Sequence, residues 1–256
     1  MNPLSLTAIS DYHKSGFTLI PTAFNPDELP EFSVMADENC EQFFEKDGTT
    51  LRSIYGFHRN PVFSDWLGKQ IVLKNLVQEL IGDQVYLHQS KINLKNTGNH
   101  SVWPFHRDFP FWRVFDNIRE NKLVNAVVFL DDVSPENGEL LFIPGSQLEF
   151  LPREAEEDHT EYSLEGSASD DLLFSFSEEE VDDFRKKMGV RGSTAPKGSL
   201  LLFNPEVLHG SGSASQNFSR KLMILTFNRC DNRPYRKSGR PEYLCNTDFT
   251  PIQWHN

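Results

Sequence analysis

Three side chains in this sequence have the type and spacing to hold a metal ion: His106 and Asp108, separated by Arg107, and His209, far downstream in the run NPEVLHGSG. On an extended strand, residues two apart point to the same face, so His106 and Asp108 can meet one ion. Two imidazoles and one carboxylate on one face of an octahedral ion leave the opposite face open, the donor set of non-haem iron(II) oxygenases. Taken alone the pair is weak, because H-x-D arises by chance and histidine is more often a hydrogen-bonded structural residue than a ligand. Arg220, on the apolar run after His209, strengthens it. A guanidinium there can grip a carboxylate through two parallel hydrogen bonds, as a chelating dicarboxylate would need at its far end. A zinc hydrolase using the same three ligands would leave Arg220 without a purpose. A non-catalytic binding module is expected to have lost at least one of the four. His13, His58, His100, His159 and His255 have no ligand-like spacing, and His88 reads as core.

The elements that must carry these residues fall into two halves. Leu6, Ile9 and Tyr12 have helical spacing before Ser15-Gly16, and a short strand follows at Phe17 to Pro21. Asn25-Pro26 predicts a helix start whose pattern runs towards Phe44, and Asn60-Pro61 and Gln70 to Ile81 predict further helices. From Val85 the runs VYLHQSKINL, NAVVFLDDV, GELLFIPGS, SLLLFNPEVLHGSG and RKLMILTFNR read as short strands bounded by turn residues. The expectation is a mainly β fold with flanking helices, a jelly roll. It is expected to form a single domain over 1–256, with a helical region at about 1–83 and a core at about 84–230. An acidic insertion at about 150–188, containing Gly166-Ser167-Ala168-Ser169, is too long for a hairpin loop and is the candidate lid.

Composition narrows the function. A net charge of −12 offers no basic patch for a phosphate backbone, so no nucleic-acid partner is expected. Three cysteines without C-x-x-C spacing suggest neither a disulfide framework nor a thiolate zinc site. With no leader pattern or membrane-length apolar run, the expected setting is cytoplasmic, away from membranes.

Four blocks carry a resemblance over most of the chain: HQSKIN (88–93), FHRDFPFW (105–112), DVSPENGELLFIPGSQ (132–147) and LLFNPEVLHGSGSASQNFSR (201–220). In this order they resemble the phytanoyl-CoA dioxygenase family of iron(II)- and 2-oxoglutarate-dependent oxygenases, and within it the ectoine hydroxylase branch. The resemblance implies a double-stranded β-helix, cupin-like, with iron on His106, Asp108 and His209. It implies 2-oxoglutarate contacts at Lys91, Asn93, Asn125, Ser211 and Arg220, and substrate contacts at Gln89, Trp112 and Phe203. The implied reaction hydroxylates an unactivated C–H bond with O2, releasing succinate and CO2, and the implied substrate is a free amino acid or related zwitterion. Alternatives within the class are a CoA- or carrier-bound or natural-product substrate, and desaturation or epoxidation. Related halogenases lack the carboxylate that Asp108 supplies, so the resemblance implies hydroxylation over halogenation. Lys91, Asn125, Ile224 and the stretch RVFDNIRENK depart from the ectoine pattern, pointing to a substrate other than ectoine.

Overall fold

In the computed structural model, residues 3–38, 40–45, 47–96, 102–149, 174–215 and 219–255 are described. Helix α1 (Pro3–Ser15) ends at Gly16 and strand β1 (Phe17–Ile20) follows, as the spacing predicts. The segment after Asn25 differs. Asn25 caps Asp27 through its side chain, but the helical turn stops at Glu28 because Pro30 lacks an amide hydrogen and forces Leu29 into extended backbone. Only a short α2 (Phe32–Met35) comes next, and Glu41–Phe44 (β2) pairs with Leu51–Tyr55 (β3) in a hairpin. The region expected to be helical therefore contributes three strands.

Helices α3 (Pro61–Gly68) and α4 (Ile71–Ile81) form where expected, α3 capped by the Asn60 side chain on Val62 N. The remaining elements are β4 (Val85–Lys95), β5 (Trp103–His106), α5 (Phe109–Phe115), β6 (Leu123–Phe129), β7 (Leu140–Phe142), α6 (Glu178–Met188), β8 (Arg191–Gly192), β9 (Leu200–Phe203), β10 (His209–Ser211) and β11 (Arg220–Arg229). Helix α6 lies in the acidic insertion and opens on a reciprocal cap between Ser177 and Glu180. Residues 150–173, the rest of the expected lid, lie outside the described residues.

The strands build two antiparallel sheets, ordered β1-β9-β6-β11-β4-β3-β2 and β5-β10-β7-β8. The run SLLLFNPEVLHGSG is two strands in different sheets. Asn204-Pro205 breaks it, and the Asn204 carbonyl and side chain close the turn on Val207 N and Glu206 N.

Alternation of side chains gives the larger sheet two distinct faces. Ile92, Val128, Leu202 and Met223 pack in one cluster with Leu73, Leu76 and Val77 of α4. Phe129, Leu201, Phe203 and Leu222 meet Leu140 and Phe142 of the smaller sheet in another. Both sheets thus face one another around an interior, with helices on the outer side: the jelly roll expected. No helix among the described residues is long and apolar enough to cross a membrane. Leu73 is fully buried under the sheet. Leu73→Ala should lower the unfolding free energy by about 2–5 kcal/mol in urea denaturation, and a loss well under 1 kcal/mol would mean that α4 contributes little to the core.

Candidate active site

The interior between the sheets opens into a cavity of about 110 Å³ lined by His106, Asp108 and His209. His106 ends β5 and His209 begins β10, directly opposite in the antiparallel register, with ring centroids 4.3 Å apart. Each ring is oriented by its own chain two residues back: His106 Nδ1 donates to the Pro104 carbonyl (2.7 Å) and His209 Nδ1 to the Val207 carbonyl (3.0 Å). That fixes the tautomer and leaves both Nε2 atoms as lone-pair donors, the arrangement of metal-binding imidazoles.

Asp108 is not on the strand, contrary to the two-apart reading. The chain has already turned into helical backbone (φ −79°, ψ −38°), and Asp108 stands at the N-terminal boundary of α5. Pro205 explains the turn, since its carbonyl accepts from both Asp108 N and Phe109 N. The carboxylate still reaches the imidazoles, with Oδ1 3.4 Å from His106 Nε2 and Oδ2 3.8 Å from His209 Nε2. Burial raises the Asp108 pKa, but the facing His209 and His106 outweigh it and hold the group down at about 2. Burial also lowers His209 to about 4, helped by the charge of His106. With an ionised carboxylate beside the depressed His209 imidazole, and all ligand atoms within 4.8 Å of one another, the cluster suits a divalent ion.

Beyond the residues that line the cavity, Arg220 and Ser211, together with Asn93 on its wall, carry buried polar atoms with no hydrogen-bond partner among the described residues. Arg220 is wholly buried. Its Nε donates to the Gly138 carbonyl (2.9 Å), while Nη1 and Nη2 make no hydrogen bond, and burial depresses its pKa to about 9. Ser211 Oγ and Asn93 Oδ1 are buried and unbonded as well. An uncompensated buried guanidinium is costly, so two aligned donors facing inward fit a carboxylate guest. Gly138 adopts φ +73°, and a Cβ there would lie 2.6 Å from the Gly212 carbonyl. Only glycine lets this turn pass close enough to support Arg220. Lys91, Asn93 and Asn125 line the metal cavity. Lys91 lies over the Trp103 ring (4.9 Å), whereas Asn125 donates to Asp108 Oδ2 (2.7 Å).

Gln89, Trp112 and Phe203 line the cavity too. Phe203 packs on His209 (4.7 Å), Trp112 stands edge-on to His88 (5.6 Å), and Gln89 Nε2 donates to the Leu244 carbonyl (2.9 Å). His88, read as core, is fully buried and paired with Asp116. With Asp116 and Cys245 it forms a second cluster of metal-ligand type. Here the carboxylate is already engaged: Asp116 Oδ2 accepts from His88 (2.9 Å) and Arg240 (2.7 Å), and Oδ1 from Ser238 (3.0 Å). A cation beside Arg240 would be repelled, so this cluster serves Arg240, which lines the cavity next to Phe111 (4.7 Å). Arg240 and Asp116 carry no spacing signal in the sequence. They meet only because the segment after β11 folds back over α5.

The phytanoyl-CoA dioxygenase family model matches residues 12–222 of the chain. The chain is 29% identical to L-proline trans-4-hydroxylase of Streptomyces griseoviridis, over 94% of its own length and 92% of that protein. It is 28% identical to ectoine dioxygenase of Nocardia farcinica, over 95% and 86% respectively. In structure it resembles EctD from S. alaskensis crystallised with 2-oxoglutarate and 5-hydroxyectoine, with TM-score 0.79 and 22% identity over 100% of this chain and 89% of that one.

The geometry predicts one tight iron(II) site in anaerobic titration. Removing a ligand, as in Asp108→Ala or His209→Ala, should cost more than the roughly 10–100-fold that loss of a supporting hydrogen bond costs a metal site. Unchanged affinity in both variants would rule the triad out.

Proposed function

The chain belongs to the phytanoyl-CoA dioxygenase family, and from that premise we propose that it is an iron(II)- and 2-oxoglutarate-dependent dioxygenase hydroxylating a C–H bond of a free amino acid or related small zwitterion. The observation that carries the reading is the convergence of two oriented imidazole Nε2 atoms and an ionised carboxylate in one cavity, with the two unbonded Nη atoms of buried Arg220 on the same face of β11 as cavity-lining Ile224 and Thr226. His106, Asp108 and His209 would hold the iron; Arg220 and Ser211 would bind the distal carboxylate of 2-oxoglutarate, with Lys91, Asn93 and Asn125 along its length. When bound, the pair supplies the oxidation, with O2 consumed and succinate and CO2 released. The protein's own part is positioning and exclusion of water.

Substrate size and charge follow from the other wall. The cavity of about 110 Å³ at the candidate metal site is of a scale that suits a small molecule. Arg240, held by Asp116, offers a cation to the substrate carboxylate, and Gln89 Oε1 is an acceptor for its ammonium group. Trp112 and Phe203 close the apolar sides and keep one C–H bond turned toward the metal. The likeness to a proline hydroxylase and an ectoine dioxygenase supports a small zwitterion of this kind. We regard the chain as a single domain, and its three free cysteines suit a reducing, cytoplasmic setting.

Adding 2-oxoglutarate to the iron(II) protein without oxygen should give a visible charge-transfer band, which Arg220→Ala loses at modest 2-oxoglutarate concentration. If no band forms in the wild type, the oxygenase reading fails. In a panel of free amino acids and cyclic zwitterions, L-proline included, at least one compound should stimulate succinate formation; a silent panel would count against a zwitterionic substrate. Arg240→Ala should raise KM for that compound by about 10–100-fold, the worth of one charge-assisted hydrogen bond, while KM for 2-oxoglutarate stays put.

A further inference from the structure

Asn125 and Thr226 face one another across β6 and β11 in register, both almost wholly buried (1% and 2% exposed) and both on the cavity wall. Thr226 Oγ1 lies 2.7 Å from Asn125 Oδ1, and Asn125 Nδ2 lies 2.7 Å from Asp108 Oδ2. We propose that this Thr226–Asn125 relay is a positioning device for the metal site, pinning one oxygen of Asp108 so that the other is the donor left to the ion. The inference rests on the metal reading above and assigns Thr226 a role that neither the spacing of the motifs nor the cavity lining suggests.

The direction of every hydrogen bond in the relay is forced by charge. An ionised carboxylate only accepts, so the amide nitrogen of Asn125 must be the end that faces Asp108. Its oxygen then faces Thr226, and the hydroxyl must donate to it. Remove that hydroxyl and nothing holds the amide: a half-turn would set its oxygen against the carboxylate, oxygen to oxygen. The relay therefore keeps a donor on Oδ2 and leaves Oδ1, beside His106 Nε2 at 3.4 Å, free of other hydrogen bonds to Asn125. This matters because a carboxylate is able to offer both oxygens to an ion. A three-residue site that must also admit a two-toothed co-substrate and oxygen has no position to spare. Asn125 Nδ2 carries a second hydrogen, which is available to 2-oxoglutarate, so both roles are compatible.

Sheet architecture makes the pin rigid. Asn125 also stands opposite Phe203 on β9, and Thr226 opposite Gln89 on β4, with a register shift in the β11–β4 pairing immediately after Thr226. Both relay residues are thus held by strand pairing on either side, whereas Asp108 lies outside the sheets at the start of α5.

The test is anaerobic iron(II) titration of the protein without 2-oxoglutarate, which separates metal positioning from co-substrate contact. Thr226→Val, matched in shape, should bind iron about tenfold more weakly, in the range for lost supporting hydrogen bonds. Thr226→Ser, which keeps the hydroxyl, should remain within about twofold of wild type, a rescue that packing alone would not produce. Wild-type affinity in Thr226→Val, or equal weakening in Val and Ser, overturns the relay. If Thr226→Val does not fold, Asn125→Ala carries the test: it should weaken iron binding at least as much, and wild-type affinity there is equally fatal. Failure of the wild-type protein itself to bind iron would take down the metal reading, and the relay with it.

Discussion

Antiparallel pairing of β10 with β5 sets His209 opposite His106, and the remaining parts of the site are arranged around that pair. A directly opposed pair in an antiparallel ladder brings side chains into contact, so the register alone delivers two imidazoles to one point. Close packing enforces the register: a Cβ on Gly210 would lie 2.8 Å from the Trp103 carbonyl. Phe142, next along on β7, stacks parallel to His209 and touches Phe203 and Phe17. The metal-binding rings are thereby built into the apolar core where the two sheets meet.

The third ligand arrives by a different route, and this separates its control from that of the histidines. Asp108 belongs to the start of α5, fastened by the Pro205 carbonyl from the crossing between sheets. One short helix then carries the carboxylate at its entrance, Trp112 one turn on, and Asp116 at its end. Metal, aromatic wall and the support for Arg240 are consequently tied to a single rigid segment. Displacement of α5 would disturb all three together.

Two buried carboxylates lie near each other in this chain and do different work because of their partners. Among the described residues, Asp108 faces two imidazoles and one amide and no fixed cation at hydrogen-bond distance, so its charge is available to an ion. Asp116 faces Arg240, Ser238 and His88, and although burial opposes ionisation, Arg240 and His88 hold its pKa below the ordinary value. Composition does not distinguish them. Their neighbours do, and those that set Asp116 apart, Arg240 and Ser238, come from a segment more than a hundred residues away.

By itself the sequence determined the strand-rich core, the positions of α1, α3 and α4, and the residue types that converge in the candidate site. It could do so because alternation, and proline and glycine positions, are local properties. It misread Asn25 to Phe44 as helix because apolar spacing there fits either period and only Pro30 and the pairing of β2 with β3 decide between them. The strand assigned to His106-Arg107-Asp108 failed for a similar reason: a carbonyl from Pro205, remote in the chain, turns the backbone between the two ligands. Thr226, Arg240 and Asp116 were illegible for the strongest physical reason. A hydroxyl, a guanidinium and a carboxylate have no specific role until burial removes water and leaves them only a few protein partners, and which partners those are was decided only by the tertiary structure.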